Sequence, residues 1–263
     1  PFQVPKFYKF LLYIFLKGKA FMSYKVYGSS CLGNKPVEAI HSRPHQFDKT
    51  KVVASVGGED RPIDILWLKA ASETYKISDD ISDYIIVPVP IITVDIPNRN
   101  LQAFPNEEVT SWNTDAGRIV YQTFIGKPLF LNHDNEDEKK SKGIILDSIM
   151  KYIPKYDVWK IIELTAWDRT KDKDVANHIL KDNKSEYSMG SMVRTFIEYP
   201  TGKKVKPKDS RGYINKEGKL VYHICLNSCF FETSLITEKE GAADCTAINT
   251  QDEIIARPGD LKW

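Results

Sequence analysis

The stretch Tyr84-Ile85-Ile86-Val87-Pro88-Val89-Pro90-Ile91-Ile92-Thr93-Val94 constrains the fold more than any other. Ile and Val dominate it, and branching at Cβ favours a pleated, buried strand over a helix. Pro88 and Pro90 cannot donate to a ladder, so the strand belongs at a sheet edge or carries a bulge. More strand-like segments follow. Gly143 to Tyr152 and Val158 to Trp167 are separated by the turn Ile153-Pro154-Lys155-Tyr156-Asp157. Tyr187 to Tyr199, Leu220 to Leu226 and Phe230 to Thr237 complete the set. Helical spacing is confined to Ile63–Tyr75 and Asp172–Lys181, where apolar residues recur on one face. Ser29 to Asp60 reads as loop with one short strand near Val52–Ser55. Strands outnumber helices and connect mainly in antiparallel fashion. The reading is an α+β fold built on a mostly antiparallel, partly closed β-barrel with peripheral helices.

A chain of 263 residues can bury a substantial core. Its 37 basic and 35 acidic residues leave a net charge of +2, which gives no ground for expecting a nucleic-acid partner. The basic run Lys203-Lys204-Val205-Lys206-Pro207-Lys208 reads as a solvated loop. Four cysteines are too few to suggest a disulfide framework. His223, Cys225, Cys229 and Cys245 lack a CxxC pair, so buried thiols are the better reading and no metal is expected.

The N-terminal Phe10-Leu11-Leu12-Tyr13-Ile14-Phe15-Leu16, flanked by lysines, is too short for a stable membrane span. It lacks a convincing signal-peptidase site. Residues 1–21 are read as an extension of uncertain status. Either Met22 is the true start, or the stretch is a helix that docks on a protein assembly or a membrane.

Three polar residues stand in distinctive settings. His133 lies in Phe130-Leu131-Asn132-His133-Asp134, where an apolar run gives way to the acidic stretch Asn135-Glu136-Asp137-Glu138. Ser188 lies in Tyr187-Ser188-Met189-Gly190-Ser191, and Glu232 in Phe230-Phe231-Glu232-Thr233-Ser234-Leu235. A serine hydroxyl needs an imidazole to take its proton, and the imidazole needs a third group to orient it. The chain order His, Ser, acid differs from the familiar serine-hydrolase orders and points to a less common fold. On the residues alone, Ser185 and Ser191 compete with Ser188. Asp134 competes with Glu232, which alternation along a strand turns away from Phe231 and Thr233. A strand-end histidine bonded to a carbonyl, a ladder serine and a structural glutamate are the bland alternatives.

These residues carry a resemblance. From about Asp80 to Ala247 the chain resembles the prohead (head-maturation) proteases of large tailed phages, related in fold to the herpesvirus assemblins. The resemblance runs through Tyr84–Ile92, Ile96-Pro97-Asn98-Arg99-Asn100, Ala103-Phe104-Pro105, Gly117-Arg118 and Tyr121-Gln122-Thr123-Phe124 to the His133 segment. Ser188-Met189-Gly190 and Phe231-Glu232-Thr233-Ser234-Leu235 close it. It implies an assemblin-like fold with residues 22–263 as one protease domain. It selects Ser188 as nucleophile, His133 as general base and Glu232 as the orienting acid, with His223 as the alternative third member. It places an oxyanion loop within Thr237–Asp244, where Ala242 departs from the family's proline.

The implied activity is that of a serine endopeptidase that needs no cofactor. Its implied substrates are phage scaffold or core proteins and the major capsid protein. It would act inside the assembling procapsid in the host cytoplasm, with homo-oligomerisation left open. An esterase on the same residues and a catalytically silent scaffold-binding protein are the alternatives. Cutting after a glutamate preceded two positions earlier by Ile or Leu, also implied, would make Glu163 and Glu238 candidate self-cleavage positions, with Glu238 the more accessible.

Overall fold

A computed structural model describes residues 67–181 and 186–237, with the side chains of Lys155 and Lys181 excepted, together with four further strand backbones. The strands in chain order are β1 (Tyr24–Gly28), β2 (Lys51–Val56), β3 (Glu59–Asp64), β4 (Tyr84–Thr93), β5 (Gln102–Ala103), β6 (Trp112–Asn113) and β7 (Arg118–Ile119). They continue with β8 (Pro128–Leu131), β9 (Gly143–Ile153), β10 (Val158–Asp168), β11 (Glu186–Tyr199), β12 (Lys204–Val205), β13 (Tyr222–Ile236) and β14 (Cys245–Thr246). The α-helices are α1 (Leu68–Tyr75), α2 (Asn106–Val109) and α3 (Lys173–Lys181). The chain is therefore mostly β with few helices.

One large mixed sheet organises the molecule, in the order β1-β11-β13-β8-β9-β10-β4, with β12 and β14 added to β11 and β5 added to β13. Most neighbours are antiparallel. β13, however, pairs parallel with both β8 and β5. All ten residues of β4 are buried, and among the described strands it pairs with β10 alone. Its register shifts at Ile91, beside Pro90, where two residues of β4 meet one of β10. The prolines thus sit on a sheet end next to a bulge, where their missing donors cost least.

The sheet curls. Thr233 on β13 reaches the carboxylate of Glu163 on β10 at 2.8 and 3.0 Å, although β8 and β9 lie between them in the ladder. Trp167 on β10 likewise packs 6.0 Å from Tyr187 on β11. The ladders do not close a barrel among the described residues, because no hydrogen-bonded pairing joins β4 to β1 or β11. Inside the curl, Val87, Ile91, Phe124, Leu129, Trp167 and Phe230 are fully or almost fully buried, with Phe124 stacked on Phe230 at 4.2 Å. A second apolar layer on the outer face joins Ile86, Ile144, Leu146, Ile162 and Leu164 to Leu68 of α1. Burying each such side chain contributes about 1.5–3 kcal/mol, so two filled faces hold the central strands firmly.

Three local readings change. The helix expected over Ile63–Tyr75 covers only Leu68–Tyr75, because Ile63 pairs with Val52 in the β2–β3 hairpin. The segments Leu220–Leu226 and Phe230–Thr237 belong largely to one strand, Tyr222–Ile236, which passes through Asn227 at φ 55 without leaving the ladder with β11. Finally, β13 has an extra residue at Phe231, where Gly190 faces Glu232 while Ser191 faces Phe230. The N-terminal extension 1–21 lies outside the described residues. No described helix is long and apolar enough to cross a membrane.

Candidate active site

The parallel pairing of β8 with β13 sets up the site. Leu129, Phe130 and Leu131 lie beside Thr233, Ser234 and Leu235, so the chain leaving β8 emerges next to the end of β13. On the other side of β13, antiparallel β11 places Ser188 opposite Ser234 and Gly190 opposite Glu232. Three strands thus contribute: β11 carries the serine, β13 the glutamate, and the turn after β8 the histidine. Ser188 and His133 do not come from adjacent strands, since β13 lies between theirs. Neighbouring strands are about 4.8 Å apart, so an imidazole leaning over β13 spans the gap.

His133 Nε2 lies 2.8 Å from Ser188 Oγ, and His133 Nδ1 lies 2.8 Å from Glu232 Oε1. An ionised carboxylate has only acceptors, so Nδ1 carries the proton and donates to Glu232. Nε2 is then left as an acceptor for the Ser188 hydroxyl. Glu232 is fully buried and Ser188 is 4% exposed, whereas the His133 side chain is 23% exposed. The imidazole is therefore the face of the array that meets solvent.

The backbone at His133 is unusual. Asn132 and His133 have φ of 50° and 59°, and the Asp134 N–H donates to the Leu131 carbonyl at 2.9 Å. Two successive positive φ values within a four-residue turn are the mark of a type I′ turn, which Asn at the first central position favours. A histidine held there departs from the ordinary basins, and such departures gather where a side chain must be aimed. The turn is tied down from outside. The Asn132 N–H donates to the Leu235 carbonyl at 2.9 Å, and the His133 N–H donates to Ser234 Oγ at 3.2 Å. The Asn132 side chain brackets Thr237, accepting from its N–H at 2.9 Å and meeting its Oγ1 at 3.0 Å.

The bulge at Phe231 breaks the simple alternation. Both the Glu232 carboxylate and the Phe231 ring come up against Gly190, so Glu232 does not face away from Phe231 as period-two reading implies. It does face away from Thr233, whose hydroxyl reaches Glu163. Ser234 was not singled out by sequence reasoning. Its spacing of two from Glu232 on a strand, which puts both on one face, is the signal that could have found it.

The competing residues fall elsewhere. Ser191 is three residues beyond Ser188 on β11, an odd step that turns it to the other face. Ser185 lies outside the described residues. Asp134 pairs with Lys140 at 2.7 Å on the surface. His223 is on β13, nine positions before Glu232 and so roughly 30 Å away along the strand. It is fully buried, with neither ring nitrogen in a hydrogen bond and its ring 6.0 Å from that of Phe196 at an interplanar angle of 61°. Burial, aided by the Arg211 charge, pushes its pKa below the usual imidazole value.

Cys225 is buried and Cys229 partly so, and burial pushes the Cys225 thiol up. Among the described residues, no three His, Cys, Asp or Glu side chains are placed to share a metal ion. Lys203, Lys204, Lys206 and Lys208 are all exposed. Of the suggested oxyanion segment only Thr237 is described, and Glu238 lies outside. Glu163 is fully buried within β10.

No protein-family model matches the chain, and no curated protein matches it. Among solved structures it is similar to the bacteriophage T4 capsid assembly protease, gp21. Sequence identity is 15%, the TM-score is 0.42, and the match covers 82% of this chain and 99% of that one. The likeness is distant, and the chemistry of the site stands on its own geometry.

Proposed function

We propose that this chain is a serine endopeptidase. The observation that carries the reading is the unbroken relay from Ser188 Oγ through the His133 ring to a buried Glu232 carboxylate, with both links at 2.8 Å. Each group suits its part. The neutral imidazole accepts the hydroxyl proton as Ser188 Oγ attacks a carbonyl carbon. The imidazolium so formed is stabilised by Glu232, whose charge acts in a site shielded from water. The same imidazolium then gives its proton to the departing amine, leaving an acyl group on Ser188. Water, deprotonated by His133, releases that acyl group and restores the serine. No cofactor takes part in these steps.

The substrate class rests on the sequence resemblance between Asp80 and Ala247. On that basis the chain cuts scaffold or core proteins and the major capsid protein of a tailed phage within the assembling procapsid. An esterase would use the same relay. A silent scaffold-binding protein would have no use for a histidine held at positive φ between a buried acid and a serine. The test is cleavage of purified scaffold and capsid proteins of the virus that carries this chain. Wild type, Ser188→Ala and a small ester substrate are run side by side. Protein fragments with wild type but none with Ser188→Ala support the reading, whereas turnover of the ester alone sinks it in favour of an esterase.

A further inference from the structure

We propose that Ser234 is a positioning residue for the reaction, a role that rests on the reading of Ser188, His133 and Glu232 as catalytic. Its hydroxyl is 2.6 Å from Glu232 Oε2 and 3.2 Å from the backbone N of His133. One hydroxyl therefore donates its proton to the carboxylate and accepts from the residue that carries the imidazole. It is fully buried, as is Glu232. The carboxylate uses Oε1 for the His133 ring, and Ser234 supplies a donor to the second oxygen.

Ser234 thus does two things. It fixes the plane of the carboxylate, so that Oε1 points at Nδ1. It also ties the backbone of the left-handed turn to β13, so that the ring and the acid are located by the same atom. Its ladder neighbours are Ser188 on β11 and Phe130 on β8, which puts it at the crossing of the three contributing strands. Of the other ionisable groups near this part of β13, Glu163 meets Thr233 on the opposite face and Asp134 is engaged with Lys140.

The hydroxyl also shares the charge of Glu232. Without it the carboxylate pulls harder on the imidazolium, so a more alkaline solution is needed before His133 becomes a base. Glu232→Gln removes the charge and has the opposite effect. The two variants should therefore move the acid limb of kcat/KM in opposite directions, up in pH for Ser234→Ala and down for Glu232→Gln.

The experiment measures kcat/KM against pH for wild type, Ser234→Ala, Glu232→Gln and Ser188→Ala on a fluorescent protein substrate. Active enzyme is counted by titration with a serine-directed phosphonate. We expect Ser234→Ala to lose about tenfold or more per active site, the scale of a hydrogen bond to a charged group, with its acid limb displaced upward. An unmoved limb, or one displaced in the same direction as in Glu232→Gln, overturns the proposal. A full rate per active site does so as well. Cleavage that persists in Ser188→Ala defeats the catalytic reading itself, independently of Ser234.

Discussion

Gly190 on β11 faces the Glu232 carboxylate so closely that a Cβ at position 190 would lie 2.5 Å from Oε1. The same Cβ would lie 2.6 Å from Cζ of Phe231, which the bulge brings to this side. Gly190→Ala must therefore push the carboxylate away from His133 or displace the Phe231 ring. We expect a stability loss of about 1–3 kcal/mol, the usual cost of overpacking, and a loss of activity larger than that unfolding explains. Urea unfolding beside kcat/KM per folded molecule checks this. Full activity in a folded Gly190→Ala protein would show that the contact does not constrain Glu232.

Glu232→Gln keeps a carbonyl oxygen that can accept from Nδ1–H and an amide that can donate to Ser234. It loses the charge that stabilises the imidazolium. We expect kcat to fall by about a hundredfold or more while KM changes little, because the interaction develops mainly in the transition state. His133→Ala should fall further, since it removes the proton acceptor outright. Steady-state kinetics on one protein substrate separates the two.

Asn132 holds the turn by conformation and by its side chain. Asn132→Ala keeps a Cβ at φ 50 but loses both bonds to Thr237. Asn132→Gly loses the same bonds and relieves the backbone. A left-handed residue with a Cβ costs about 1–2 kcal/mol, so Ala should destabilise more than Gly. The gap between the two variants in a denaturant titration measures that backbone cost, and a zero gap would refute it.

Glu108 on α2 is buried, and its Oε1 accepts from the Ser228 N–H at 2.6 Å. Burial raises its pKa above the ordinary 4.5, although the bonds from the Ser228 and Asn227 backbone oppose this. The folded protein thus holds the proton more tightly than the unfolded chain. Its contribution to stability is present below the ordinary carboxyl value and is lost as pH rises through the raised one. Glu108→Gln retains the acceptor and does not titrate. Its melting temperature should exceed that of wild type at pH 8, with the difference shrinking toward pH 4. A difference that grows on acidification would contradict the assignment.

Much of this was legible in the sequence because it is local. The β-branched run at Tyr84–Thr93 and its prolines announced a buried strand at a sheet end. The Pro154 turn announced the β9–β10 hairpin. Asp172 announced the start of α3, where its carboxylate accepts from the Val175 N–H at 3.1 Å. His133, Ser188 and Glu232 stood out by residue type, setting and resemblance. What was not legible depends on contacts between distant segments. The parallel pairing of Phe130 with Ser234 leaves no local trace, yet it decides which strands flank the histidine. The extra residue at Phe231 defeats period-two reading, because nothing in Phe-Phe-Glu-Thr marks a bulge. The polar interlude Asn227-Ser228 imitates a turn, while the ladder with β11 carries on through it. Ser234 was hidden for a related reason, since its partners come from its own strand and from a turn about a hundred residues earlier.

The most direct test of the central claim is intact-protein and peptide mass spectrometry after reaction with a fluorophosphonate, which bonds covalently to a serine activated by an imidazole. The geometry predicts one equivalent of label, carried on the peptide containing Ser188. Labelling should be abolished in Ser188→Ala, strongly slowed in His133→Ala, and normal in Ser191→Ala. Stoichiometric labelling that survives in Ser188→Ala, or an unlabelled wild-type protein that still cleaves its substrate, would contradict the account.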